Sequence, residues 1–309
     1  MHHQIDVTVP SAAADDLVGR LAAHDGVLAL THQRDGSVKP PGDVLSLHVL
    51  NRSIDDVLAS VEHARQYGPI TVATVRTESV VASGVQDAIE DDADESPWEE
   101  FERTLRHHGR LSTNYLALMA LGGAIAVAGL VSPPVPQALA LAASAIVAPA
   151  FEPVAKLAVA ALRRDLHRIR RALVSVVVGY LVLAAAGGVA FLVLRALGMG
   201  RPEMLAKSEG VHMVVDPTAA DWLVGAGGAL AGLVIITSFR EAVLAGALIA
   251  LALVPAAALV GIGVVGGDWT LALEGLQRTA ADMGLVVVLG GAVVLVKDRW
   301  HHGRRRPLA

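Results

Sequence analysis

The stretch Gly122-Gly-Ala-Ile-Ala-Val-Ala-Gly-Leu-Val131 is echoed later in the chain by Gly225-Ala-Gly-Gly-Ala-Leu-Ala-Gly-Leu-Val234. Ser144-Ala-Ile-Val-Ala-Pro-Ala-Phe-Glu-Pro153 lines up in turn with Gly246-Ala-Leu-Ile-Ala-Leu-Ala-Leu-Val-Pro255, and Gly187-Gly188 with Gly290-Gly291. The matches keep nearly one offset, so a hydrophobic unit of three helices occurs twice. A duplicated unit with an odd number of spans sits in a bilayer in opposite orientations, a common construction in secondary transporters.

Composition agrees with a membrane protein. The chain is 53% apolar with mean hydropathy +0.52, against about 45–50% for soluble domains. The excess lies after Asn114. With no cysteine there is no disulfide framework or thiolate site. The start lacks the apolar core of a cleavable signal peptide.

Hydrophobic spans are expected near 114–131, 136–162, 172–197, 221–237, 241–265 and 279–297. A hydrocarbon core about 30 Å thick needs ~20 helical residues. The second and fifth are longer and carry proline, so they must tilt, kink or break. Arg103, Arg106, Arg110, Arg163, Arg164, Arg168, Arg170, Arg171, Arg240 and the basic tail fall on one side, and only Arg195, Arg201, Lys207 and Arg278 on the other. The excess of positive charge puts both termini in the cytoplasm of a bacterial plasma (inner) membrane. Trp98, Trp222, Trp269 and Trp300 stand beside span ends, as interfacial anchors do. Gly122, Ala126 and Gly129, with Gly225, Ala229 and Gly232, read as faces for close helix packing.

Before the spans, residues 1–80 read as a soluble domain. Ile5, Val7 and Val9 alternate as in a strand, and Ser11 opens a helix with Leu17, Val18 and Leu21 on one face. Val27–Thr31 is a second strand, and a turn-rich stretch with Asp35-Gly36 and Pro40-Pro41-Gly42 follows it. Val44–Leu50 alternates again, Ser53 and Asp56 resemble a capping box, and Ile70–Val75 supplies a fourth strand. The order βαββαβ is a ferredoxin-like α+β pattern, which fixes no activity. His24, His32, His48 and His63 are scattered and read as solvated or packed side chains rather than metal ligands.

Residues 81–112 form an acidic linker, from Asp87 to Glu102, ending in an amphipathic helix opened by Pro97-Trp98. The six-helix domain occupies 113–300, with repeats at 113–200 and 218–300, and a basic tail takes 301–309.

Chemistry is sought where the second span reads Ala148-Pro149-Ala-Phe-Glu152-Pro153-Val-Ala-Lys156. Each proline removes a backbone donor and leaves carbonyls to be satisfied by protein or water. Pro255 repeats the device in the other half, and paired broken helices point to a midplane site. Glu152 and Lys156 lie one turn apart inside the span, where an ionisable group is by default a functional-site hypothesis. They read as a structural ion pair, as a proton- or substrate-handling pair, or as a snorkelling lysine beside a protonated acid. The candidate substrate or ion site is Glu152, Lys156, Pro149, Pro153, Ser144 and Pro255. No nucleophile–base set, metal cluster or cofactor motif is seen, so no enzyme is expected.

Ala143-Ser-Ala-Ile-Val-Ala-Pro-Ala-Phe-Glu-Pro153 and Leu251-Ala-Leu-Val-Pro-Ala-Ala-Ala258 resemble signatures of a prokaryotic hydrophobic-domain membrane family of unknown function. Its members carry a soluble N-terminal domain, and at the position of Glu152 the family pattern has a small residue. The resemblance implies a polytopic topology and no activity. The expected reading is a small-solute transporter or channel with a site between spans two and five; the alternative is a non-transporting scaffold or sensor whose soluble domain carries the output. The expected partners are the lipid bilayer, a small solute and, by way of a homo-oligomer, further copies of the chain; nucleic acid is not among them.

Overall fold

The computed structural model describes residues 2–77, 80, 84–92, 110–199, 205, 207–238 and 245–300. The chain divides into two units, a smaller one built on Met1–Phe101 and a larger one within Glu102–Ile236 and Arg240–Leu295.

In the smaller unit the alternating apolar residues become strands β1 (His2–Val9), β2 (Val27–Val38), β3 (Pro41–Val49) and β4 (Thr71–Thr77). Helices α1 (Ser11–Ala22) and α2 (Ile54–His63) complete the order βαββαβ, and α3 (Gln86–Glu90) follows. The sheet runs β2-β3-β1-β4 with every neighbour antiparallel. Register places Ile5 beside Leu47 and Val7 beside Leu45. That face is fully buried against Leu17, Leu21, Val57, Leu58 and Val61 of the two helices.

Three local expectations change. β2 continues to Val38 instead of stopping near Thr31, absorbing Asp35-Gly36 as an irregularity between Gln33 and Ser37. Asp35 takes the left-handed conformation there, with φ 46°, which an aspartate tolerates better than most residues. Ser11 does not cap α1: its hydroxyl donates to Asp43 at 2.5 Å. Ser53 makes no side-chain cap either. Asp92, from the start of the acidic segment, accepts from the backbone N–H of Asn51 at 2.6 Å and of Arg52 at 3.2 Å, in the short 3-10 turn Asn51–Ser53 that leads into α2. The rest of the acidic run, the helix opened by Pro97-Trp98, Arg240-Glu241 and the basic tail lie outside the described residues.

The larger unit is helical: α4 (Thr113–Leu130), α5 (Pro134–Val147), α6 (Phe151–Leu162), α7 (Leu166–Ala196), α8 (Glu209–Val215), α9 (Ala219–Thr237), α10 (Ala245–Gly266) and α11 (Trp269–Trp300). The starts follow local chemistry. Ser112 accepts from the N–H of Tyr115 at 3.2 Å, and Asp165 from that of Arg168 at 3.0 Å. Pro134 opens α5, where a missing N–H costs nothing.

A helix or helix pair stands at each hydrophobic stretch read from the sequence. Among the described residues, four helices (α4, α7, α9 and α11 through Lys297) are long and apolar enough to cross a membrane, and the bent pair α5–α6 makes a fifth if it is one span. Less than half of each of those four apolar windows is buried within the protein. Leu181, Val189 and Val288 are more than 60% exposed, a surface that suits lipid rather than water. α10 packs against α4, α5, α6 and α7 and so forms the centre of the unit. Small residues allow this: Gly188 meets the backbone of Gly261, where a Cβ would stand 3.1 Å from a carbonyl oxygen.

Two boundaries differ from the sequence reading in ways that matter. α11 begins at Trp269 rather than near 279, so Arg278 is not a loop charge but part of a helix interior. α10 runs unbroken through Pro255. The expected pair of broken helices is therefore one broken pair and one continuous helix.

Candidate functional site

The break in the second hydrophobic stretch comes from its prolines. Ala148 is extended, with φ −80° and ψ 119°, as the residue before a proline prefers. α5 and α6 consequently meet at a 50° bend. The freed backbone finds partners nearby: the Ala150 N–H donates to the Ala148 carbonyl at 2.7 Å. The Tyr180 hydroxyl donates to the Ala150 carbonyl at 3.1 Å. Ser144, fully buried, donates to the Leu141 carbonyl at 2.7 Å. Pro153 is the third residue of α6, where no intrahelical donor is needed. Pro255 has no such freedom and sits buried in mid-helix.

Glu152 is the second residue of α6. Its Oε2 is buried with no hydrogen-bond partner among the described residues. Tyr115 and Tyr180 both lie within its electrostatic reach. Each tyrosine commits its proton to a carbonyl, Tyr115 to Ser175 at 3.0 Å and Tyr180 to Ala150. Lys156, one turn further along, is partly buried. Neither tyrosine is singled out by the sequence pattern, although a lone tyrosine inside an apolar span is itself a signal that its hydroxyl needs a partner.

A cavity of about 460 Å³ opens elsewhere in the same unit, between α5, α8, α9, α10 and α11. Its wall is mainly apolar, with Leu141, Val214, Val224 and Leu251, and it carries Gln137, Glu209, Asp221 and Arg278 as polar groups. None of Ser144, Pro149, Glu152, Pro153, Lys156 and Pro255 lines it. Gln137, buried on α5, donates to the Ser208 hydroxyl at 2.5 Å and accepts from the Gly210 N–H at 3.3 Å. It thereby ties the start of α8 across the cavity. Asp221 accepts from the N–H of Thr218 at 2.8 Å and from its hydroxyl at 2.6 Å. The Asp221 N–H returns a bond to the threonine oxygen at 3.3 Å, completing a cap for α9. Its carboxylate is therefore largely committed to structure.

Arg278 has a different character. On α11 its Nε donates to Asp282 Oδ2 at 2.9 Å, with both side chains almost wholly buried. The guanidinium stacks 4.3 Å over the ring of Trp222. Nη1 of Arg278 and Oδ1 of Asp282 are buried and without a hydrogen-bond partner among the described residues. Gly225, another wall residue, adjoins that oxygen: a Cβ there would stand 3.9 Å from it. Trp222, read as an interfacial anchor, also covers a buried charge. The sequence signal for the pair was its spacing of one turn at the foot of an apolar run. The two charges themselves masked it, because they made the helix appear to start later.

No curated protein and no solved structure matches the chain. A family model does, over a segment that begins in α5 and ends in α11, and so takes in the bend between α5 and α6, the part of the cavity wall from α8 to α11 and the Arg278–Asp282 pair. Residues 145–288 thus match DUF389, a domain of unknown function, in line with the uncharacterised family that the sequence motifs resemble.

Proposed function

We propose that this is a polytopic plasma-membrane protein that binds and passes a small solute through the cavity between α5, α8, α9, α10 and α11. In this reading six spans form two inverted repeats, both termini are cytoplasmic, and residues 1–80 are a ferredoxin-like regulatory domain. The carrying observation is the cavity with a buried arginine in its wall. Cavities with a few placed polar groups in an otherwise apolar wall are the usual form of small-molecule sites. An intramembrane ionisable residue marks a pathway more often than a scaffold.

Two further observations support the repeat. The bent pair α5–α6 packs against α10, so the middle members of the two triplets are neighbours. The register that aligns Gly187 with Gly290 also aligns Ser175 with Arg278 and Gly179 with Asp282. In the first triplet Tyr115, on its first helix, bonds to Ser175 and fills the space at Gly179. In the second, Trp222, likewise on its first helix, covers Arg278. In both halves an aromatic residue of the first helix meets the same matched position of the third, although in that register Trp222 aligns with Met119, one turn beyond Tyr115.

The test is uptake of a broad solute panel by liposomes containing the purified chain. At least one solute should accumulate above empty vesicles, and Gly225→Leu, which adds bulk at the cavity wall beside α11, should block it. No uptake of any solute, or uptake indifferent to Gly225→Leu, overturns the proposal in favour of the non-transporting scaffold.

A further inference from the structure

Three polar residues of the cavity wall stand at the starts of their helices. Gln137 lies in the first turn of α5, Glu209 opens α8 and Asp221 lies in the first turn of α9. The segment around α8 is two-faced. Lys207, Glu209 and His212 are exposed, whereas Gly210, Val211 and Val214 are buried, and Gly210 and Val214 form part of the cavity wall. Seven residues make too short a helix to persist by itself, so α8 keeps its place through its contacts. Gln137 supplies two of them: its Nε2 donates to Ser208 Oγ at 2.5 Å, and its Oε1 accepts from the Gly210 N–H at 3.3 Å. Gly210 makes that approach possible, because a Cβ there would stand 2.9 Å from Gln137 Nε2 and 3.2 Å from Leu130 at the end of α4.

Resting on the transport reading above, we propose that α8 is the gate of the cavity on the side where α5 and α9 begin, and that Gln137 is the latch that holds it shut. In that reading this is the aqueous end of the site. With the latch made, Gly210 and Val214 complete the wall; with it released, α8 leaves α5 and water reaches the α10 side of the cavity. A buried glutamine suits the task. Its amide offers a donor and an acceptor at once and brings no charge to desolvate. Its two bonds can be exchanged for bonds to water at small net cost, unlike the apolar packing that holds α10 among its neighbours.

The chain has no cysteine, so Ala252→Cys places a single thiol in the cavity wall, on α10. The readout is its rate of modification by a charged, water-soluble methanethiosulfonate, with the full chain in lipid nanodiscs, since the reactive species is the hydrated thiolate. Gln137→Ala and, separately, Gly210→Ala should each speed that reaction at least about tenfold, the weight of one lost hydrogen bond. Ala155→Cys, fully buried in α6 and outside the cavity, should keep its rate in both variants. No acceleration at position 252 overturns the gate, and so does an equal acceleration at position 155, which is general loosening. If labelling is unchanged while a solute is carried and blocked by Gly225→Leu, the transport reading stands and the gate falls. If labelling accelerates as expected while no solute is carried, α8 still controls access to the cavity and the transport reading falls.

Discussion

The Tyr180 hydroxyl donates to the Ala150 carbonyl across 3.1 Å, so the gap that Pro149 opens between α5 and α6 is closed by a side chain from α7. The Ala150 carbonyl also begins the intrahelical ladder of α6, so the tyrosine adds a second bond to it and ties α7 to the bend. Tyr180→Phe removes that second bond. It should lower stability by about 0.5–1.5 kcal/mol, read as a fall in unfolding temperature in a fixed detergent. A variant as stable as the parent shows that another donor takes over the Ala150 carbonyl.

The Arg278–Asp282 pair makes a second, separable claim on stability. Deleting one member of a buried pair strands the other, at about 3–5 kcal/mol, whereas replacing both by apolar residues is often nearly neutral. Arg278→Met and Asp282→Leu should each destabilise strongly, and the double variant should recover most of the loss. Thermal unfolding of the four proteins gives the coupling. Additive losses would show that the two charges do not depend on each other.

In the smaller unit, hydrogen bonds to Asp43 from the Ser11 hydroxyl, then from His32 and the Asp35 N–H, hold its carboxyl down at about 2. The unfolded chain should titrate near the ordinary value of about 4. A depressed folded value stabilises the fold above the unfolded value, and that contribution is lost as pH falls from about 4 towards 2. Amide exchange in β1 and β3 should accelerate over that window in the parent chain. Asp43→Asn should be less protected at neutral pH and should lack that step.

The order βαββαβ and the six hydrophobic stretches were legible because alternation marks the strands and a continuous apolar run marks each stretch, signals that a segment carries by itself. The capping of the short 3-10 turn that leads into α2 was not, because Asp92 reaches Asn51 and Arg52 from a distant part of the chain. The bend at Ala148 was legible as a proline effect, whereas the continuity of α10 through Pro255 depends on packing around the helix centre. The cavity is likewise a product of tertiary arrangement. Gln137 carries no signal of its own in the sequence and Arg278 read as a loop charge, until α8 and α11 placed them around one space. By contrast Glu152 stood out in the sequence, since an acid in an apolar run is visible without any fold.

Glu152 supplies the last prediction. Its Oε2 is buried without a hydrogen-bond partner among the described residues, at the N-terminal end of α6 and near two tyrosine hydroxyls whose protons are already committed. An acid inside an apolar span is by default a candidate for proton handling. Glu152→Gln keeps the shape and removes the titration. Thermal stability should change by no more than about 1 kcal/mol, while uptake by reconstituted protein should lose its dependence on pH. If transport by Glu152→Gln follows the same pH profile as the parent, proton handling belongs elsewhere. If the variant instead unfolds readily, the carboxylate is held by a partner that the hydrogen bonds around α6 do not include.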